Sequence, residues 1–343
     1  MLKYLEALCG LDGVSGWEDA VRDFVRAKAS PWAEEIYEDS IGNLFVLKKG
    51  AERRNCKLMV CAHMDEVGLL IQKITDEGYL KFEFVGGVDR RVVIGKRVRI
   101  GASQLPGIIG VKAVHLSTKE ERKKVPKLDE LYIDIGATTK AQAEKLVRLG
   151  DFAAFDSSYT LFGDGLVKSK ALDDRLGCAV MLELLEEPLA YDTWFVFTVQ
   201  EEVGLRGATC AAYSLAPDVA LVIEGTTAAD LPDTEGAKQV CSVRSGAVIG
   251  CMDRSTIYDP AYFRLLCEQA DKLGIPWQIK QLVAGGTDAG AIHKSRGGVR
   301  TACIAAPVRY IHSPSCVTSC AAMDAVYSLA RAFVNAHHEN GKD

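Results

Sequence analysis

Apolar residues fall into two textures along the chain. Near the N-terminus and through the second half, unbroken apolar runs of strand length alternate with segments whose apolar residues recur every three or four positions. Such runs, bounded by polar residues, read as interior strands of an α/β sheet, and the helically spaced segments between them as its covering helices. On this pattern the run opening Leu58 to Gly68 (LMVCAHMDEVG) and the runs Thr193 to Val199, Val219 to Ile223, Trp277 to Leu282 and Val299 to Ala305 are strands. Leu176 to Leu185, Ala261 to Leu273 and about Ser319 to Ala336 are helices. The first forty residues also read as helical, with Ser15 and Glu18 spaced as a capping box before Val21, Phe24 and Val25. Asp39 to Asn43 reads as a turn into a strand at Leu44 to Leu47.

From about Leu69 to Ser169 the texture changes. Short β-rich runs (LLIQKI, YLKFEF, RVRIG, GIIGVKAV, LYIDIG, DFAAFD, LVKSK) are separated by glycine turns and one helical stretch, Lys140 to Leu149. Short strands at close spacing predict a small β-barrel or sandwich inserted into the α/β domain. The expected division is residues 1–68 and 170–343 for the α/β domain, with a mixed, mostly parallel sheet between helices, and 69–169 for the insert. Lys119 to Lys124 (KEERKK) inside the insert reads as a solvated loop.

Composition narrows the function classes. The 343 residues are 48% hydrophobic and 25% charged, ordinary for a globular protein. A net charge of −5, with no basic run interleaved with aromatics, gives no reason to expect nucleic acid. No stretch of about 18 apolar residues would span a membrane, and MLKYLEALCGLDG is too short and too acidic for a signal peptide, so the expected location is cytoplasmic. Eleven cysteines without a CxxC pair read as buried thiols rather than as a disulfide framework or zinc knuckle; Cys316 and Cys320 could share a helix face.

Chemistry gathers where the apolar runs stop. Three strands end in His63, Glu201-Glu202 and Glu224; His312 follows another, and Asp173 precedes a helix. In a parallel sheet these side chains meet beyond the carboxyl edge, where such folds place their sites. Histidines with carboxylates are the donor set of zinc, cobalt or manganese, and cations relieve the repulsion among the acids. Singly, the acidic pairs could equally favour helix N-termini, and Glu224 could be a surface carboxylate.

The motifs AHMDEVG, ALDDR, EEVG, EGTTAAD, GGTDAG and RYIHSP, in this order, resemble those of the dinuclear metallo-aminopeptidases of the glutamyl aminopeptidase and tetrahedral aminopeptidase family. GIIGVKAVHL and DIGATTKAQAE in the insert are similar to that family too. The resemblance implies two divalent ions per chain, zinc or cobalt or manganese. His63 and Glu224 would hold one, Glu202 and His312 the other, and Asp173 would bridge them. Glu201 would be the general base and Asp65 would orient His63. Asp288 in GGTDAG is a candidate substrate-side residue. The implied partners are peptide substrates and further copies of the chain, as dimers through a PDZ-like insert or as a twelve-subunit tetrahedral shell. Two positions depart from the family: Glu224 stands where aspartate is frequent, and Val243 to Ala247 where relatives often read Gly-Lys-Gly-Pro. The implied activity is removal of N-terminal residues from oligopeptides. Its rivals are a metal-dependent deacylase or carboxypeptidase of similar fold, and a non-catalytic assembly protein with a vestigial metal site.

Overall fold

A computed structural model describes residues 3–53, 55–336 and 338; the chain ends of the expected α/β domain lie outside the described residues. Helices α1 (Leu5–Gly10) and α2 (Asp19–Ala29) open the fold. α2 starts after Glu18 without a side-chain cap, so the expected capping box does not form; Ser15 and Glu18 serve partners far along the chain. The helical expectation also fails at β1 (Glu35–Glu38), which pairs antiparallel with β2 (Leu44–Lys48) and stacks Tyr37 on Phe45 at 4.7 Å between ring centroids. The turn between them is the expected one: the Asp39 carboxylate accepts hydrogen bonds from the N–H groups of Ile41, Gly42 and Asn43.

β3 (Leu58–His63) is buried along its whole length. Its period of two divides it between two helix layers: Leu58, Val60 and Ala62 pack in one core, Met59 and Cys61 in another. The chain then leaves the sheet for a closed antiparallel barrel of β4 (Gly68–Ile74), β5 (Leu80–Val85), β6 (Arg97–Ile100), β7 (Leu105–Gly110), β8 (Tyr132–Asp134) and β9 (Phe152–Phe155). Leu69, Ile71, Leu80, Val98, Ile109 and Ile133 fill its interior. Closure leaves it no free sheet edge. The helix expected from Lys140 shortens to α3 (Lys140–Ala143), capped by Thr139, and Lys119 to Lys124 is an exposed turn. β10 (Thr160–Phe162) and β11 (Leu166–Ser169) pair not with the barrel but with each other and with the last strand, β17 (Cys316–Ser319).

The main sheet is completed by β12 (Thr193–Thr198), β13 (Val219–Thr227), β14 (Ala247–Ile249), β15 (Trp277–Ile279) and β16 (Arg300–Val308). Among the described residues it has eight strands in the order β1-β2-β12-β3-β13-β16-β14-β15, of which β12, β3, β13 and β16 run parallel. Helices α4 (Leu172–Glu186), α6 (Pro260–Leu273) and α8 (Cys320–Val334) join α1 and α2 on one face, and α5 (Arg206–Leu215) and α7 (Ala289–Ile292) cover the other. Register aligns the strand ends: Thr198 lies opposite His63, and Val222 opposite Cys61, which brings Glu224 level with His63. Glu224 is thus inside β13, which continues to Thr227, rather than at its end. Cys316 belongs to β17 while Cys320 opens α8, so the two do not share a helix face.

Candidate metal centre

Five of the expected donors converge. His63 Nε2 lies 3.2 Å from Asp173 Oδ1 and 3.3 Å from Glu224 Oε1. His312 Nε2 lies 3.4 Å from Asp173 Oδ2 and 3.1 Å from Glu202 Oε2. Asp173 therefore presents one oxygen to each histidine. These spacings match the roughly 3.3 Å edge of a tetrahedron of ligands about 2.0–2.1 Å from a metal. Asp174, which the sequence reading left out of the donor set, is there too: His63, Asp173 and Glu202 bring donor atoms within 4.8 Å of one another, and so do His63, Asp174 and Glu224. Asp174 Oδ1 accepts from the Gly177 N–H at 2.9 Å, whereas Oδ2 is buried with no hydrogen-bond partner among the described residues. A side chain at Gly177 would collide with that carboxylate, its Cβ 2.5 Å from Oδ2. The only signal in the sequence was its place beside Asp173.

The loops that carry the donors are braced from behind. Asp65 faces His63 Nδ1 through its backbone carbonyl at 3.1 Å and its carboxylate at 3.3 Å. The same carboxylate accepts from the N–H groups of Glu201 and Glu202 at 3.0 and 3.1 Å and from the Ser15 hydroxyl at 2.6 Å. Glu18 Oε1 accepts from the Gln200 N–H at 3.1 Å. The two residues read as a helix cap thus brace the turn bearing Glu201 and Glu202. Next to them, Lys170 is buried between Asp12 and Glu66 at 2.8 and 2.7 Å, and buried Arg175 reaches the Leu8 carbonyl at 2.6 Å. Ala171, Gln200 and His312 hold left-handed backbone, with φ of 52°, 55° and 58°, though none is glycine. Each costs about 1–2 kcal/mol, which the surrounding contacts offset.

Burial pushes the Glu202 carboxyl up to about 8 and holds those of Glu224 and Asp174 well above the ordinary range, their neighbouring acids adding to the effect. Burial and the charges of Asp288, Glu202 and Asp173 likewise raise Glu201. Burial alone would lower both histidines, but the facing carboxylates overcome it: His312 rises to about 9 and His63 well above its usual value. Asp173 goes the other way, held low against burial by His312 and His63. Acids this crowded carry protons or cations, and a mixed imidazole and carboxylate set with an orphaned buried oxygen fits divalent ions such as zinc, cobalt or manganese.

Beside the cluster opens a cleft of about 440 Å³ lined by Glu201, Glu202, Glu224, Thr226, Lys280, Thr287 and His312, among others. Asp288 is placed differently from the substrate-side position expected of it: it is buried beneath the cleft, Oδ2 accepting from the Thr198 hydroxyl at 2.6 Å. Burial pushes its carboxyl up to about 6. The departing segment Val243 to Ala247 does not line the cleft either; the Val243 carbonyl accepts from the Ser319 hydroxyl at the start of α8. Lys280 was not singled out in the sequence, because a lysine after an apolar strand has no distinguishing pattern.

A family model described as M42 glutamyl aminopeptidase matches residues 42–329. A protein of Acetivibrio thermocellus provisionally named an aminopeptidase is 42% identical over 92% of each chain. The structure of an aminopeptidase from the archaeon Desulfurococcus kamchatkensis superposes with a TM-score of 0.92 at 37% identity, over 97% of this chain and 94% of that one. The TET1 peptidase of Pyrococcus horikoshii, which can assemble into a tetrahedron or a large octahedral shell, superposes with a TM-score of 0.85 at 33% identity, over 97% and 98% of the two chains. No helix among the described residues is long and apolar enough to cross a membrane.

Proposed function

Because the chain belongs to the M42 glutamyl aminopeptidase family, and is thereby an aminopeptidase acting on peptide bonds, we propose that it uses two divalent metal ions to remove the N-terminal residue of oligopeptides. The observation that carries this reading is Asp173, whose two oxygens face His63 and His312 separately. His63 and Glu224 would hold one ion, Glu202 and His312 the other, and Asp173 both, with Asp174 beside the first. When bound, the ions supply Lewis acidity that activates water and polarises the scissile carbonyl.

The remaining work falls to the chain. Glu201 faces the cleft from the turn fixed by Asp65, and its raised carboxyl suits it to take a proton from the attacking water and deliver it to the leaving amine. Asp65 holds the His63 ring so that Nε2 points at the cluster. The crowded acids favour a free substrate amine at the cleft, and no arginine among its described lining residues offers the anchor a carboxypeptidase needs. Shell-forming relatives support self-association of this chain, and the barrel is the contact domain that this reading assigns.

The reading is tested with metal-reconstituted protein and paired dipeptides, one blocked at the amine and one at the carboxyl end. Hydrolysis only where the amine is free is expected; hydrolysis only where the carboxylate is free would make the protein a carboxypeptidase or deacylase.

A further inference from the structure

β13 outruns one of its two neighbours. It pairs in parallel with β16 from Val219 to Thr227, but with β3 only from Val219 to Val222, because β3 stops at His63. Successive residues of a strand turn their N–H and C=O groups to alternate sides. The Val219 N–H donates to the Lys57 carbonyl at 3.3 Å and the Ala228 N–H to the Val308 carbonyl at 2.9 Å, so odd-numbered residues of β13 face the β3 side and even-numbered ones face β16. Beyond the end of β3, Gly225 and Thr227 therefore address an edge that no strand occupies among the described residues.

That edge opens on the site. Glu224, Gly225, Thr226 and Thr227 all line the cleft, and a side chain at Gly225 would bring its Cβ within 3.1 Å of Asp173 Oδ1, so the edge starts at the metal cluster. Part of it is already engaged: the Gly225 N–H donates to Glu224 Oε1 at 3.1 Å, and the Thr227 carbonyl accepts from the Cys241 thiol at 3.2 Å. The Gly225 carbonyl and the Thr227 N–H are left, flanking Thr226. In a parallel ladder such a pair serves one residue of the neighbouring chain, which donates its N–H to the first and accepts from the second through its own carbonyl. Because Cys61 is level with Val222, a chain continuing in the place of β3 would set that residue beside Thr226, just past His63. An unpaired strand edge is a template for a further strand.

We propose that the free edge of β13 docks the main chain of the peptide, its second residue lying alongside Thr226 with its N–H on the Gly225 carbonyl and its carbonyl on the Thr227 N–H. This rests on the aminopeptidase reading of the same site, in which the first carbonyl sits at the cluster. The N–H concerned is then that of the scissile bond, so the contact fixes the leaving nitrogen at the cluster. Backbone groups are common to all peptides, so the edge recognises a second peptide unit whatever its side chain. An amide of a simple amine has no second carbonyl and makes only half of the contact.

The test is kcat/KM of the full-length, metal-reconstituted protein on leucyl-alanine N-methylamide, leucyl-alanine methyl ester and leucine isopropylamide. The first residue is the same in all three, and the second carbonyl is an amide, a more weakly accepting ester, or missing. The methylamide should lead, the isopropylamide should trail and the ester should fall between them. Thr227→Pro removes the N–H in question and no ladder bond, since that group faces away from β16 and proline is tolerated at a strand edge. It should shrink the methylamide-to-isopropylamide ratio by about 2-fold to 10-fold, the worth of one neutral hydrogen bond. Thr227→Ala keeps the N–H and should keep the ratio. Intrinsic differences between the leaving amines are the same for every variant and cancel in this comparison. A methylamide cleaved no better than the ester or the isopropylamide by the unaltered protein overturns the proposal without any variant. So does an unchanged ratio in folded, metal-loaded Thr227→Pro. Failure to cleave any of the three substrates with two ions bound overturns the aminopeptidase reading as well.

Discussion

Glu201 and Glu202 are adjacent in sequence and both line the cleft, yet Glu202 points its carboxylate at His312, 3.1 Å away, while Glu201 has no ion-pair partner among the described residues. Glu201→Gln keeps size and hydrogen bonding but cannot accept a proton, so kcat should fall by about 100-fold to 10,000-fold with metal content unchanged. Glu202→Gln should instead lose metal, with partial rescue by excess metal; calorimetry and steady-state kinetics on both variants separate the roles, and the opposite pattern would exchange them. The protons of the cluster give a second prediction. With His312 raised to about 9 and Glu202 to about 8, both are protonated at pH 7 when no metal competes. Metal binding must displace those protons, so apparent affinity should rise from pH 6 to pH 9 and binding at pH 7 should release protons. Calorimetric titrations in buffers of different ionisation enthalpy measure that release; a buffer-independent heat would contradict the assignment.

At the scale of elements, the donors are only as well placed as the strands and helix that end in them. Asp173 and Asp174 lie in the first turn of α4, which is buried over most of its length, so its packing fixes those carboxylates. Leu182→Ala within it should cost about 2–5 kcal/mol in urea unfolding and also weaken metal binding, whereas an unchanged midpoint would mean that the helix is not held as described. The ends of β3 and β12 were legible in the sequence because their apolar runs give way abruptly to polar and charged residues, and a buried strand admits few other readings; β13 instead carries Glu224 within it and runs on to Thr227. Ser15 and Glu18 were misread because their three-residue spacing is a local cap signal, while the contacts that claim them, with Asp65 and Gln200, lie far away in sequence. β11 was grouped with the barrel for the same reason: its partner is β17, nearly 150 positions on. Lys170 and Lys280 carried no pattern at all, and Asp174 only its place beside Asp173, since burial and cleft position belong to the folded chain.

For the whole molecule, the barrel is tied to the metal-centre side of the α/β sheet. Arg99 of β6 reaches Asp12, which also holds Lys170, which holds Glu66, the neighbour of Asp65. If the barrel is the assembly domain, light scattering of the intact chain should give a mass well above a dimer. Replacing residues 69–156 by a short linker, which spares β10 and β11, should lower it; a monomeric intact chain would refute this. The most direct test of the central claim is activity on an N-terminally free oligopeptide as metal is added back to chelated protein, with bound metal counted by elemental analysis. The account predicts no turnover without metal and activity rising until two ions are bound per chain. Full activity in protein shown to hold no metal would contradict it.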